Sequence, residues 1–175
     1  ADRLVLMAGG RLTASEVLDL ARSAPVRRRF GLDDDALERL TDWVGAVAIR
    51  WGLDADHRES YLLRDLSQNT WRSGLDRILV GAAVDGQEVD HVGTTLALDD
   101  LDSGDVELAG RLAELIDRLG ATLEAARGST SAEEWAEVLR DGVLGLADVP
   151  LKDTWQVTAF EHELSRMAAA AEAAH

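Results

Sequence analysis

Two tryptophan–arginine pairs are the side chains whose types and spacing could do chemistry, Arg50–Trp51 and Trp71–Arg72. Indole rings stack on bases and attract guanidinium ions, so two such pairs meeting across a connection could form a platform for single-stranded DNA. The same residues can also seal a small helical core, with each Arg bonding a carboxylate or a helix end. Residue spacing leaves both readings open. The run Arg27, Arg28, Arg29 is the densest positive cluster, fit for phosphate contact or for a partner-facing patch. Asp33 to Asp35 and the pair Asp99, Asp100 have the ligand type for a divalent cation, and equally the type for helix capping and loop solvation.

Other chemistry is missing from the residue pattern. His162–Glu163 begins like a zinc-protease helix, but the position of the second histidine holds Arg166. His57, His91, His162 and His175 show no metal-ligand spacing. No P-loop, dinucleotide-binding glycine motif or nucleophile elbow occurs. Catalytic, cofactor-binding and metal residues are therefore expected to be none. Arg27, Arg28, Arg29, Arg50, Trp51, Trp71 and Arg72 stand as candidates for DNA or partner contact.

The elements that must position these residues read as mainly α. Ala1 to Ala8 fit a helix end or a short strand. Thr13 and Glu16 form a capping box for a helix carrying Val17, Leu18, Leu20 and Ala21. Pro25 suits the first turn of a short helix running to Phe30 and stopped by Gly31. Asp33 to Asp35 cap a helix whose apolar stripe is Leu37, Leu40, Trp43, Val44, Val47 and Ala48, ended by Arg50, Trp51 and Gly52. Positions 53–69 have no period and read as a long connection. Trp71, Leu75, Ile78, Leu79 and Ala82 form one side of the next helix. An irregular or short β excursion is expected near 86–98. A long helix, capped by Ser103 or Asp105, turns Leu108, Leu112, Leu115, Ile116, Leu119 and Leu123 inward. Ser131 and Glu134 form a second capping box before Trp135, Val138, Leu139 and Val143. A last helix from Thr154 is expected to bury Trp155, Val157, Phe160 and Leu164. No repeat and no second domain is visible, so 1–175 reads as one helical domain.

Composition sets outer bounds. The 175 residues are 46% hydrophobic and 29% charged, enough to bury one core. The formal net charge of -15 argues against nucleic-acid binding through the whole surface. The absence of Cys removes thiol chemistry, and Lys152 is the only lysine. No stretch is apolar enough for a membrane helix or a signal peptide, and a cytoplasmic location is expected. The chain starts at Ala1 without Met, which reads as a piece of something longer.

Several ordered runs resemble the RecC family, the gamma chain of exodeoxyribonuclease V. They are Ser15 to Leu20, Val26 to Asp33, Trp43 and Val44 through Ile49 to Asp54, Asn69 to Gly81, and Glu134–Trp135, spanning roughly Leu12 to Leu146. The resemblance implies a fragment of a much longer, helicase-like subunit without a working ATP site. Within it, the fragment is similar to the helical insertion (2B-like) of a superfamily 1 helicase-like domain. The implied partners are RecB-like and RecD-like subunits in a heterotrimer, with DNA bound through the whole complex. ATP and Mg would serve the other subunits, and no cofactor is implied in this fragment. The implied role is a scaffold and DNA-channel domain in double-strand-break end processing, unwinding and Chi-dependent recombination. Positions 84–104 and those after Pro150 carry none of these signatures, and no Chi-reading residue is carried over.

Two readings from other classes compete. One is an acidic helical protein-interaction adaptor with no DNA role. The other is an acidic metal-dependent hydrolase, which would need Asp33 to Asp35 as ligands.

Overall fold

The computed structural model describes residues 1–83, 91–92, 95–96 and 105–173. Eight α-helices carry the described fold: α1 (Asp2–Ala8), α2 (Ala14–Ala21), α3 (Ala24–Phe30), α4 (Asp34–Ala46), α5 (Trp71–Ala83), α6 (Asp105–Gly128), α7 (Ala132–Leu146) and α8 (Trp155–Glu172). Between α5 and α6, two short strands, β1 (His91–Val92) and β2 (Thr95–Leu96), pair antiparallel. The excursion expected near 86–98 otherwise lies outside the described residues, as do Ser103, Asp99 and Asp100.

Local chemistry explains the helix boundaries. Both capping boxes form: Thr13 Oγ1 accepts from Glu16 N–H while the Glu16 carboxylate takes the Thr13 N–H, and Ser131 and Glu134 repeat the arrangement. The Glu134 carboxyl is held below the ordinary range by the backbone and hydroxyl donors of Thr130 and by Ser131 N–H. Asp33 caps α4 by accepting from Ala36 N–H at 2.8 Å. Gly31, at φ 61°, ends α3 with Leu32 N–H donating back to Arg27 O.

The stripe expected to run through Ala48 stops earlier, because α4 ends at Ala46. Ala48 adopts φ 56°, its N–H donates to Gly45 O, and Ile49 N–H donates to Val44 O. That is the left-handed helix stop usually built on glycine, here built on alanine. Val47 and Ile49 stay buried on either side of it.

The long helix α6 is the axis of the packing, with α1, α5 and α7 against it. Ala109, Leu112, Leu115, Ile116, Leu119 and Leu123 are almost fully buried along it, and Leu108 is half-buried. Trp43, Leu40 and Val44 of α4, and Val17 and Leu20 of α2, join the same continuous core. Close helix approach depends on small residues. A Cβ on Gly142 of α7 would fall 2.4 Å from Thr122 Cγ2 of α6, and one on Gly74 of α5 would fall 2.3 Å from Ile49 Cγ1.

Two expectations on helix faces are corrected. Leu79 lies at the edge of its face and is 36% exposed, so the buried stripe of α5 is Trp71, Leu75, Ile78 and Ala82. Trp155 is 65% exposed and not buried. The main neighbour of α8 is α7, and one narrow face is covered: Leu164 is buried, while Val157 and Phe160 are half-buried.

Candidate interaction site around Trp51, Arg58 and Trp71

Three chain segments meet where the sequence places its tryptophan–arginine pairs. The turn before α2, the stop after α4 and the entry to α5 are stitched by backbone hydrogen bonds. Ala14 N–H donates to Arg50 O, Gly52 N–H to Arg11 O, Arg50 N–H to Asn69 O, Trp71 N–H to Gly52 O and Arg72 N–H to Leu53 O, each at 2.9 Å. Thr13 and Trp51 form an antiparallel bridge within this stitching.

Four non-glycine residues among those described adopt positive φ, and all belong to this region: Leu12, Ala48, Leu62 and Asn69. Each such conformation costs on the order of 1 kcal/mol and persists only where surroundings over-determine it. Here the determinants are visible. Leu12 O accepts the Trp71 Nε1–H at 3.2 Å, and Asn69 Nδ2 donates to Ala48 O at 2.6 Å. Gly52, at φ 82°, lies where a Cβ would come within 2.9 Å of Arg58 Nε.

Arg58 organises the connection that the sequence showed as featureless. It is 5% exposed, and its guanidinium donates to Leu66 O at 2.6 Å, Gln68 O at 2.8 Å and Trp51 O at 2.7 Å. It also lies over the Trp51 ring, 4.4 Å from the centroid. Trp51 meets Tyr61 edge-on at 5.2 Å, and Arg11 is 5.7 Å and 5.5 Å from the two ring centroids. Burial lowers the Arg58 pKa from its ordinary value. His57 is also buried, with neither ring nitrogen hydrogen-bonded among the described residues. Burial first, then the Arg127 charge, holds its pKa below the usual histidine value.

The two expected pairs therefore do not assemble as one platform. Trp71 is fully buried and serves as a core anchor. Arg72 turns to α6, where it pairs with Asp117. Trp51 remains half-buried, but its cations are Arg58 and Arg11, while the Arg50 side chain is exposed and makes no ion pair among the described residues. Arg58, Arg11 and Tyr61 were invisible to motif reading. One sequence signal was available: the aperiodic stretch 53–69, whose backbone carbonyls need donors, holds two arginines, Arg58 and Arg64.

The basic run is divided among tasks. Arg27 pairs with Asp34 at 2.7 Å and donates to Leu32 O, which also ties up one carboxylate of the acidic triplet. Arg28 donates twice to Asp148 O, at 3.1 and 3.0 Å, binding α3 to the end of α7. Arg29 is exposed, without an ion pair among the described residues. Among the described residues no cluster of three His, Asp or Glu side chains could hold a metal ion, and no described helix is long and apolar enough to cross a membrane.

Comparison with known proteins gives this geometry its context. The model of the RecBCD enzyme subunit RecC fourth domain matches residues 1–175. It therefore includes positions 84–104 and those after Pro150, where the short signatures are silent. The RecBCD enzyme subunit RecC of Mycolicibacterium smegmatis is 44% identical over 98% of this chain and 16% of its own length. That of Mycobacterium tuberculosis H37Rv is 42% identical over 98% of the chain and 15% of its own length. That of Escherichia coli K12 is 31% identical over 79% of the chain and 12% of its own length. The chain thus spans less than a fifth of the length of these relatives. The tightly stitched segments include the runs Ile49 to Asp54 and Asn69 to Leu75 that carry the resemblance, and with a match along its whole length the chain belongs to the RecC family.

Proposed function

We propose that this chain is a non-catalytic scaffold domain of an exodeoxyribonuclease V gamma subunit, acting beside the DNA channel in double-strand-break end processing and Chi-dependent recombination. The observation that carries the reading is the match to the RecC fourth-domain model over residues 1–175. In this reading the parent polypeptide assembles with RecB-like and RecD-like subunits in the cytoplasm. ATP and Mg are used by those subunits, and this helical region corresponds to the 2B-like insertion of a helicase-like fold.

The geometry supports a structural role. The best-organised polar residue, Arg58, donates from both terminal guanidinium nitrogens to backbone carbonyls of its own loop. Arg27, Arg28 and Arg72 are likewise engaged within the domain. With a net charge of -15, the chain presents its surface to protein or solvent more readily than to a phosphate backbone. Genetic deletion and complementation test the proposal. Loss of the parent gene is expected to abolish ATP-dependent degradation of linear duplex DNA in extracts, and unchanged degradation overturns it.

A further inference from the structure

The connection clamped by Arg58 displays apolar side chains. Leu62 is 94% exposed, Leu66 is 46% exposed and Leu63 is 36% exposed, all within five residues. This loop is built, not loose. Its single 3-10 turn (Glu59–Tyr61) ends at Leu62 with φ 61°, Leu63 N–H donates to Arg58 O, and the Arg58 guanidinium holds Leu66 O from within. The charge of Arg64 is matched inside the loop, by Glu59 at 2.9 Å and Asp56 at 3.4 Å. The result is a preorganised apolar projection, and such preorganisation lowers the entropy lost on docking.

We infer that Leu62, Leu63 and Leu66 dock into an apolar pocket on another domain of the same polypeptide. The inference rests on reading this chain as one domain of a longer RecC-family protein. Two observations choose that occupant. The relatives are roughly six times longer than the matched region, so most of such a polypeptide lies outside these residues. Three leucines also offer only a few hundred Å² of apolar surface, below the roughly 800 Å² per partner of a stable free-standing interface. A contact of that size suffices when a covalent tether supplies a high effective concentration. Nucleic acid fits the projection poorly: Arg58 lies over the Trp51 ring, Trp71 is buried, and leucines offer no stacking plane.

Photocrosslinking tests this in the full-length polypeptide, purified with its companion subunits and a duplex end, with Leu62→p-benzoylphenylalanine as the probe. The expected crosslink joins position 62 to a residue of the same polypeptide outside these 175. Mixing isotopically labelled and unlabelled protein separates this from a second copy. Crosslinks to a companion subunit, to DNA, to a second copy or only within the domain overturn the inference, as does no crosslink. The paired substitution Leu62→Asp with Leu66→Asp gives an independent readout. Proteolytic nicking between residues 59 and 69 of the full-length protein should accelerate at least tenfold with helicity unchanged, and an unchanged rate counts against docking. If the full-length polypeptide purifies without RecB-like and RecD-like companions, the wider reading fails alone, and the intrachain crosslink is then scored on the polypeptide by itself.

Discussion

Removing the Arg58 guanidinium would strand the carbonyls of Trp51, Leu66 and Gln68 and uncover one face of Trp51. A hydrogen bond from a charged donor contributes about 1.5–3 kcal/mol. Arg58→Met should therefore lower the unfolding free energy by ~3 kcal/mol or more in urea titration. Arg58→Lys should recover only part, because an ammonium cannot span three carbonyls with a planar fork. His57 adds a pH signature. Its folded-state pKa lies below the unfolded value, so the unfolded chain binds more protons as pH falls through the histidine range. Stability should be full above about pH 6.5 and decline below it. In His57→Leu the dependence between pH 7 and 5 should flatten; a slope unchanged from the parent would mean that His57 is not the group responsible.

Helix crossings set the element scale. Gly142 and Gly74 let α7 approach α6, and α5 approach the segment after α4, more closely than any Cβ permits. Gly142→Ala must displace Thr122, and overpacking of this kind costs about 1–3 kcal/mol. A thermal melt should show the loss, while Gly145→Ala, with open space at its Cβ, should leave the melt unchanged or raise it. Much of this scale was legible in sequence. Capping boxes and three-four spacing draw on contacts within one or two turns, so α2, α4, α6 and α7 could be read directly. What escaped reading depends on contacts distant in the chain. The left-handed stop at Ala48 needs Asn69 to satisfy its carbonyl, and the loop after Leu53 is organised by a buried Arg58 that no local pattern marks. Trp155 illustrates the opposite error, since periodicity marks an apolar position without saying that a neighbour covers it. At the site, the sequence located Trp51 and Trp71 but not their separation into a half-exposed ring and a core anchor.

At the scale of the whole molecule, charge and the internal commitments of the arginines point the same way. Arg27 and Arg28 hold α3 to α4 and α7, so replacing Arg27, Arg28 and Arg29 with Glu in the parent complex should lower thermal stability. The salt slope of DNA binding should stay unchanged; a slope shallower by about one per removed cation would place these residues on phosphates. The net charge of -15 likewise favours a surface turned toward protein and solvent over one turned toward phosphate. A scaffold domain of a RecC-type subunit is expected to travel with the companion subunits that its parent polypeptide holds. Affinity purification of the full-length polypeptide from its native cells, with the bound proteins identified by mass spectrometry, tests it most directly. The expected result is recovery of RecB-like and RecD-like subunits in equal stoichiometry, together with ATP-dependent degradation of linear duplex DNA. Recovery of the polypeptide without either subunit would contradict it.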